Sequence, residues 1–408
     1  MTTEGGRAKA GWLAVIVAAL GYLVDIYDLI LFSVVRGPSL RAIGVPQDQL
    51  LEVGSHLLDM QMLGMLVGGV LWGMLGDRRG RLSVLFGSIL MYSIANIANG
   101  FVEDVDTYAW LRLIAGVGLA GELGAGVTLV TESLDARARG WATTIVAGVG
   151  ICGAILAVVV SGSTEWRVAY WTGGGLGLAL LFLRVGIIES GIFKRTKATG
   201  VSRGNFFALF GNRRRALRYV AIVLCGVPIW YAVGILVTFA PEIGGALGMQ
   251  PPPAAADAVM ACYIGLAAGD FTSGWLSQVL RSRRKAILLF VILDVLAIAF
   301  YFTYGHQSAT LFWIACFVLG FANGYWAVFV TVAAEQFGTN LRATAATTAP
   351  NFVRGSVPLL TFGFRALRGP LGIPGSAIAV GAITMLFALA SLFAIEETYG
   401  KDLDFVER

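Results

Sequence analysis

Runs of about 20 apolar residues follow one another almost to the C-terminus of this 408-residue chain, each long enough to cross roughly 30 Å of hydrocarbon at about 1.5 Å per residue. The pattern predicts twelve helices, over residues 12–35, 54–75, 82–102, 107–134, 139–162, 166–189, 217–242, 257–280, 286–304, 309–336, 341–365 and 375–396. Short polar loops separate them, and no stretch remains that would build a soluble domain. The longest polar stretch, Ser190 to Arg218, divides the helices six and six. The expected architecture is an all-α polytopic membrane protein: an N-terminal bundle over 1–189, a linker over 190–216 and a C-terminal bundle with a short tail over 217–408. Arg7 and Lys9 precede an apolar run from Trp12 without an early small-residue cleavage site, so that run reads as a retained first helix.

Composition supports the bilayer reading. Hydrophobic residues make up 57% of the chain and charged residues only 13%, about half the charged share of ordinary soluble domains. The net charge of +5 would suit nucleic acid only if the basic residues formed a stripe on one folded face. Here they occupy short loops, and nucleic acid drops out as a partner. With both termini placed in the cytoplasm, 22 lysines and arginines fall on that side against 5 outside, among them Arg36, Arg41, Arg365 and Arg368. That bias sets the orientation, with both termini at the cytoplasmic face of a multi-pass inner-membrane protein. Cys152, Cys225, Cys262 and Cys316 lie inside apolar runs and read as small buried hydrophobes.

The chain repeats itself. Glu132 precedes Arg139 by seven residues and Glu335 precedes Arg342 by seven, with 203 residues between the copies. The loop after helix two runs Gly73, Met74, Leu75, Gly76, Asp77, Arg78, Arg79, Gly80, Arg81; a worn copy after helix eight has Gln278 where the first has Asp77. Two halves with matching cytoplasmic motifs are the mark of a transporter whose solute site lies between the halves near the bilayer midplane. A tight glycine turn would let helices two and three approach, and Asp77 suits the positive end of a helix dipole. Gly73, Asp77, Arg78, Gly80, Arg81, Glu132, Arg139, Glu335 and Arg342 therefore form a candidate latch, whose basic groups pair with acidic helix ends of the partner half in one state and part in the other.

These residues carry a resemblance to the major facilitator superfamily over essentially the whole length, and within it most closely to the metabolite:proton symporters, with aromatic-acid:proton symporters next. Asp25, Tyr27 and Asp28 in helix one match that likeness. So do Arg112, Gly116, Gly118, Gly121, Glu122, Gly124, Gly126 and Glu132 in helix four, and Trp166, Arg167, Arg184, Glu189, Ser190 and Phe193 around helix six. Ile26 stands where an aromatic is expected, and the second half matches only around Glu335, Phe337, Thr339 and Arg342. The resemblance implies two six-helix bundles and proton-coupled carriage of small organic acids or zwitterions by a monomer without a cofactor. An exporter of drugs or metabolites is the alternative.

Ionisable groups at bilayer depth cost several kcal/mol and need a partner, a cavity or a function. Asp25 and Asp28 sit three apart on one helical face and could meet Arg112, giving a cluster that holds one proton; a structural ion pair is the alternative. Glu122, about 15 Å further along helix four, joins them as a proton-coupling candidate or bonds to a neighbouring helix. Arg354 lies near mid-bilayer with no second-half carboxylate clearly at its depth, so a bound carboxylate suits its planar guanidinium, and an acid from helix one is the alternative. Tyr27, Gln61, Tyr231, Asn323 and Trp326 are candidate solute contacts, with Trp230 and Tyr325 beside them. His56 shares a face with Asp59 and reads as an interfacial group, while Asp270 and Asp294 are intramembrane acids without an assigned purpose. The only histidines, His56 and His306, lie far apart, and no nucleophile or metal motif is visible, which argues against an enzyme.

Overall fold

The computed structural model describes residues 4–79, 81–122, 136–189, 206–338 and 341–401. Among them every regular element is helical. The chain runs α1 (Glu4–Ala42), α2 (Leu50–Arg79), α3 (Arg81–Asn99), α4 (Val105–Leu119), α5 (Ala136–Ser163), α6 (Trp166–Glu189), α7 (Arg213–Tyr231), α8 (Ala240–Ala246), α9 (Ala255–Val279), α10 (Arg283–Thr303), α11 (Ala309–Ala322), α12 (Trp326–Glu335), α13 (Arg342–Arg354) and α14 (Val357–Ser391). The pairs α7–α8, α11–α12 and α13–α14 are consecutive pieces of broken spans, and α14 itself kinks at Gly372, whose φ is 68°. Counted that way, the described helices make twelve membrane segments. Among the described residues six stretches are long and apolar enough on their own to cross a bilayer, Val15–Ala42 the first of them.

Large apolar side chains face outward, Phe182, Leu359, Phe362, Leu386 and Phe393 among them, while buried positions include Asp25, Asp28, Arg112, Glu122, Arg184, Asp294 and Arg354. A soluble protein would invert that distribution; a solvent of lipid tails explains it.

Small residues set the helix crossings. A Cβ at Gly116 or Gly64 would strike the backbone between α4 and α2, and one at Gly118 or Gly121 would strike α3. The glycine run of helix four is thus a packing stripe as far as it is described; Gly124 and Gly126 lie outside the described residues. Gly73 differs from expectation, since nothing stands within 4 Å of its would-be Cβ. Close approach in α2 falls at Gly64, Gly68 and Gly69 instead, four to nine residues earlier.

Three element boundaries also differ. The first helix runs on to Ala42, past the expected end at 35, and so carries Arg36 and Arg41. The seventh span passes through a wide turn over Ala232–Val237 after Pro228, with the Thr238 amide bonded back to the Val233 carbonyl at 3.1 Å. The tenth breaks at Asn323–Tyr325, where Gly324 lies directly on the backbone of Gly269 and Asp270. Cys152 is exposed, unlike the three buried cysteines, because the face of α5 that carries it points outward.

Candidate functional site

Helix α1 presents Asp25 and Asp28 to the interior, both fully buried, and their four carboxylate oxygens find no hydrogen-bond donor in bonding geometry among the described residues. Asp28 rests against α6 at Gly173, where any Cβ would overlap it, and has Asp25 and Arg112 within electrostatic reach. The hydrogen bond of Arg112 goes not to an aspartate but to the Gln61 side-chain oxygen. Its guanidinium also lies 5.0 Å from the Phe32 ring centroid and 5.7 Å from that of Tyr170. Gln61 in turn donates to the Leu29 carbonyl at 3.3 Å, so one amide ties α4 to α1. Tyr27 turns away and donates to Ala169 of α6 at 2.8 Å.

Glu122 has a partner that sequence reasoning named only as part of the family likeness. Arg184 of α6 grips its carboxylate bidentately, with nitrogen–oxygen distances of 2.5 and 3.1 Å, and both side chains are buried. Gly21 of α1 lies directly on this pair; a Cβ there would overlap both side chains. The absence of a side chain at residue 21 is what lets the pair fit under the first helix.

Arg354, the last residue of α13, is 1% exposed and lies under two indoles, 5.8 Å from the Trp230 ring and 5.6 Å from that of Trp326. Its Nε and Nη1 have no hydrogen-bond partner among the described residues. The carboxylate that acts on it electrostatically comes from helix one: Arg354 is the foremost charge within reach of Asp25, followed by Glu122 and Arg184. Tyr22, one turn before Asp25, is also within reach of Arg354, Asp270 and Trp326. The structure therefore gathers Tyr22, Asp25, Trp230, Trp326 and Arg354 from four spans. Tyr231 and Asn323 are not brought in: the Tyr231 hydroxyl donates to Ala377 at 2.7 Å and the Asn323 amide to the buried Asp294 at 2.8 Å. Neighbours in sequence part here because the seventh and tenth spans break beside them.

Of the latch candidates, Gly80 and Glu132 lie outside the described residues, as do the side chains of Asp77, Arg78, Arg81 and Arg139. Arg342 opens α13. Glu335 is met from its own half, by Arg283 at 3.6 Å and the Thr398 hydroxyl at 2.7 Å. The tail that follows α14 supplies that hydroxyl. It also lays Glu397 on the start of α10, where the Ser282 hydroxyl and the Arg283 amide donate to it.

At the opposite ends of the spans, the first six and last six are clasped together. Arg36 bonds Glu242 at 2.7 Å and the Thr238 carbonyl at 3.1 Å, and lies 4.6 Å from the Phe239 ring. Ser33 and Thr238 share a hydroxyl contact of 2.8 Å. Arg365 joins Asp59 at 3.1 Å and Glu52 at 3.3 Å, while the Thr361 hydroxyl donates to Asp59. Sequence reading set Arg36 and Arg365 down as loop charges; the longer helices carry them into this clasp. His56, by contrast, is exposed. Among the described residues no cluster of His, Cys, Asp or Glu is arranged to hold a metal ion.

The profile of the Major Facilitator Superfamily matches residues 11–360. The chain belongs to that superfamily. It is a membrane transporter for a small molecule and not an enzyme. Among its superfamily relatives, a putative metabolite transport protein of Haemophilus influenzae is 29% identical over 97% of this chain and 98% of its own length. The 3-(3-hydroxy-phenyl)propionate transporter of Escherichia coli K12 is 28% identical over 88% of each chain. The gentisate transporter of Corynebacterium glutamicum is 26% identical over 95% of this chain and 88% of its own.

Proposed function

We propose that this superfamily member carries a small organic acid, in particular a ring-bearing monocarboxylate, by alternating access in symport with protons. The observation that carries the reading is Arg354: a buried cation with two unpartnered nitrogens, flanked by two indoles and faced by a carboxylate that makes no hydrogen bond to it. A guanidinium fork suits a carboxylate, and indole faces suit a flat ring beside it. The names of relatives that handle hydroxyphenylpropionate and gentisate support the same class.

Asp25 gives the coupling. With the site empty its carboxylate neutralises Arg354; protonation of Asp25 releases the guanidinium, which then takes the solute anion. Proton and solute so enter together. Asp28 and Arg112 lie within electrostatic reach of each other beside Asp25, with the Arg112 hydrogen bond given to Gln61. The two six-helix bundles, divided at the linker over 190–216, rock around this site. The ends bearing Arg36 and Arg365 face outside and the tail faces the cytoplasm, in keeping with the basic loops, and the carrier works as a monomer in the cytoplasmic membrane. Export of drugs by the same machinery is the second reading, since the residues do not dictate direction.

The test is uptake of radiolabelled benzoate, salicylate and 3-phenylpropionate into proteoliposomes with an imposed pH gradient. Accumulation above the external concentration that a protonophore abolishes, and that exceeds the accumulation in protein-free liposomes, supports the reading. Uptake indifferent to the protonophore, or stabilisation only by cationic drugs, rejects it.

A further inference from the structure

Two intramembrane acids, Asp270 and Asp294, have no part in the mechanism so far, and both lie at the break between α11 and α12. The break lies at a close crossing. Gly265 and Gly269 of α9 press on the backbones of Phe317 and Phe321, and Gly324 presses on Gly269 and Asp270. The chain leaves helical geometry at Tyr325, whose φ is −119° and ψ 16°, and α12 begins afresh at Trp326, where the first-turn amides lack partners within their own helix. None of its own residues caps them: Tyr325 at the cap position makes no side-chain bond. The cap comes from the neighbouring helix. Asp270 Oδ1 accepts from the Ala327 amide at 3.1 Å, and the Trp326 amide lies within bonding reach of the same carboxylate. On the other side of the break, Asn323 is held by Asp294 at 2.8 Å.

We infer that Asp270 is a positioning residue of the solute site: by capping α12 from α9 it fixes the backbone of Trp326 and so holds that indole against Arg354. The inference rests on the proposed solute site for its functional consequence, but its structural core does not need a solute. A negative charge is not what the role requires. It requires an acceptor oxygen at one place, which an asparagine supplies and a glutamate, longer by one methylene, displaces.

That distinction sets the experiment. The full-length transporter, with its ten tryptophans replaced by 5-fluorotryptophan, gives a fluorine spectrum in which the Trp326 resonance is identified by its loss in Trp326→Phe. Without solute, Asp270→Asn is expected to leave that resonance in place, and Asp270→Glu and Asp270→Ala to shift or broaden it while the Trp230 resonance holds. In uptake of labelled benzoate, Asp270→Glu is expected to raise KM roughly fivefold, the effect of one lost N-cap, with kcat and the pH profile little changed. Asp270→Asn keeps the wild-type KM. The inference is overturned if Asp270→Asn moves the Trp326 resonance or the pH profile while Asp270→Glu does neither, because Asp270 then acts through its charge. A Glu or Ala variant that does not fold leaves the Asn variant decisive by itself. Failure of the solute-site reading shows separately, as an Arg354→Ala transporter with normal uptake and an unaltered fluorine result for Asp270.

Discussion

Two buried arginines in this molecule live in opposite circumstances. Arg184 meets Glu122 through two hydrogen bonds and stays sealed beneath Gly21. Arg354 has aromatic faces for company and a carboxylate at a distance, with two nitrogens unsatisfied. Both are almost fully buried, so burial does not separate a satisfied charge from an open one. What separates them is whether the charge-assisted bonds are already made. A closed pair resists change, because either partner alone would be an uncompensated ion in an apolar interior. An open one is where a ligand's oxygens gain the bonds that the protein has left unmade.

The sharpest way to break the comparison is to remove one member of each. Arg184→Met strands Glu122 and is expected to lower stability by about 3–5 kcal/mol, read as thermal unfolding in detergent. The double variant Glu122→Gln, Arg184→Met recovers most of that loss, since no lone charge remains. Arg354→Ala should cost less stability than Arg184→Met, because Asp25 can take up a proton once the cation is gone, yet cut kcat/KM for a ring carboxylate about a hundredfold, the size of a lost bidentate charge-assisted contact. Arg354→Lys keeps the charge without the fork and should recover only a minor part. If Arg184→Met unfolds no earlier than Arg354→Ala, the contrast between the two arginines is void.

Between these extremes lies the clasp at the far ends of the spans. Arg365 is about a quarter exposed in its pairing with Asp59 and Glu52, so its bonds are partly solvated and weak. Arg365→Gln is expected to change the balance of the two access states by roughly fivefold, in keeping with about 1 kcal/mol for a partly exposed pair. Alkylation of a cysteine placed at Ser33, faster in the variant, reads that shift. The mildest case is Glu397. Burial alone would raise its pKa, but the Ser282 hydroxyl and the amides of Tyr399, Arg283 and Arg284 hold it below the usual carboxylate range. A lowered folded pKa contributes stability above the ordinary value of about 4.3, which is lost as the pH falls through the folded one. Glu397→Gln should therefore reduce the Tm slightly at pH 7 and not at pH 3, and equal loss at both would remove the carboxylate from the account.

The fold was legible because the bilayer writes it into the chain: long apolar runs, basic loops on one side and a repeat at 203 residues are local or periodic signals. The charges were legible as a set and opaque as pairs. Nothing in the run from Arg112 to Glu122 says that the acid turns to Arg184, 62 residues on, while Arg112 meets the amide of Gln61. Asp59 and Arg365 are 306 residues apart. Such partners depend on the rotation of one helix against another, which apolar composition does not encode when every face is apolar. The breaks at Tyr231 and Asn323 were hidden for a related reason. Pro228 and Gly324 mark them only faintly, yet each decides which of two adjacent side chains faces the centre and which faces a neighbouring span.

Arg36 gathers much of the contact at its end of the molecule into one side chain. It donates to the Leu50 carbonyl within its own half and to Thr238 and Glu242 across the divide, over the face of Phe239. Parting the halves there strips a nearly dry guanidinium of several partners at once, and water must replace them before the gap is wide enough to admit bulk solvent. The first ångströms of opening are therefore a wetting event, and the tempo of that end follows how readily a few water molecules can reach a single planar group.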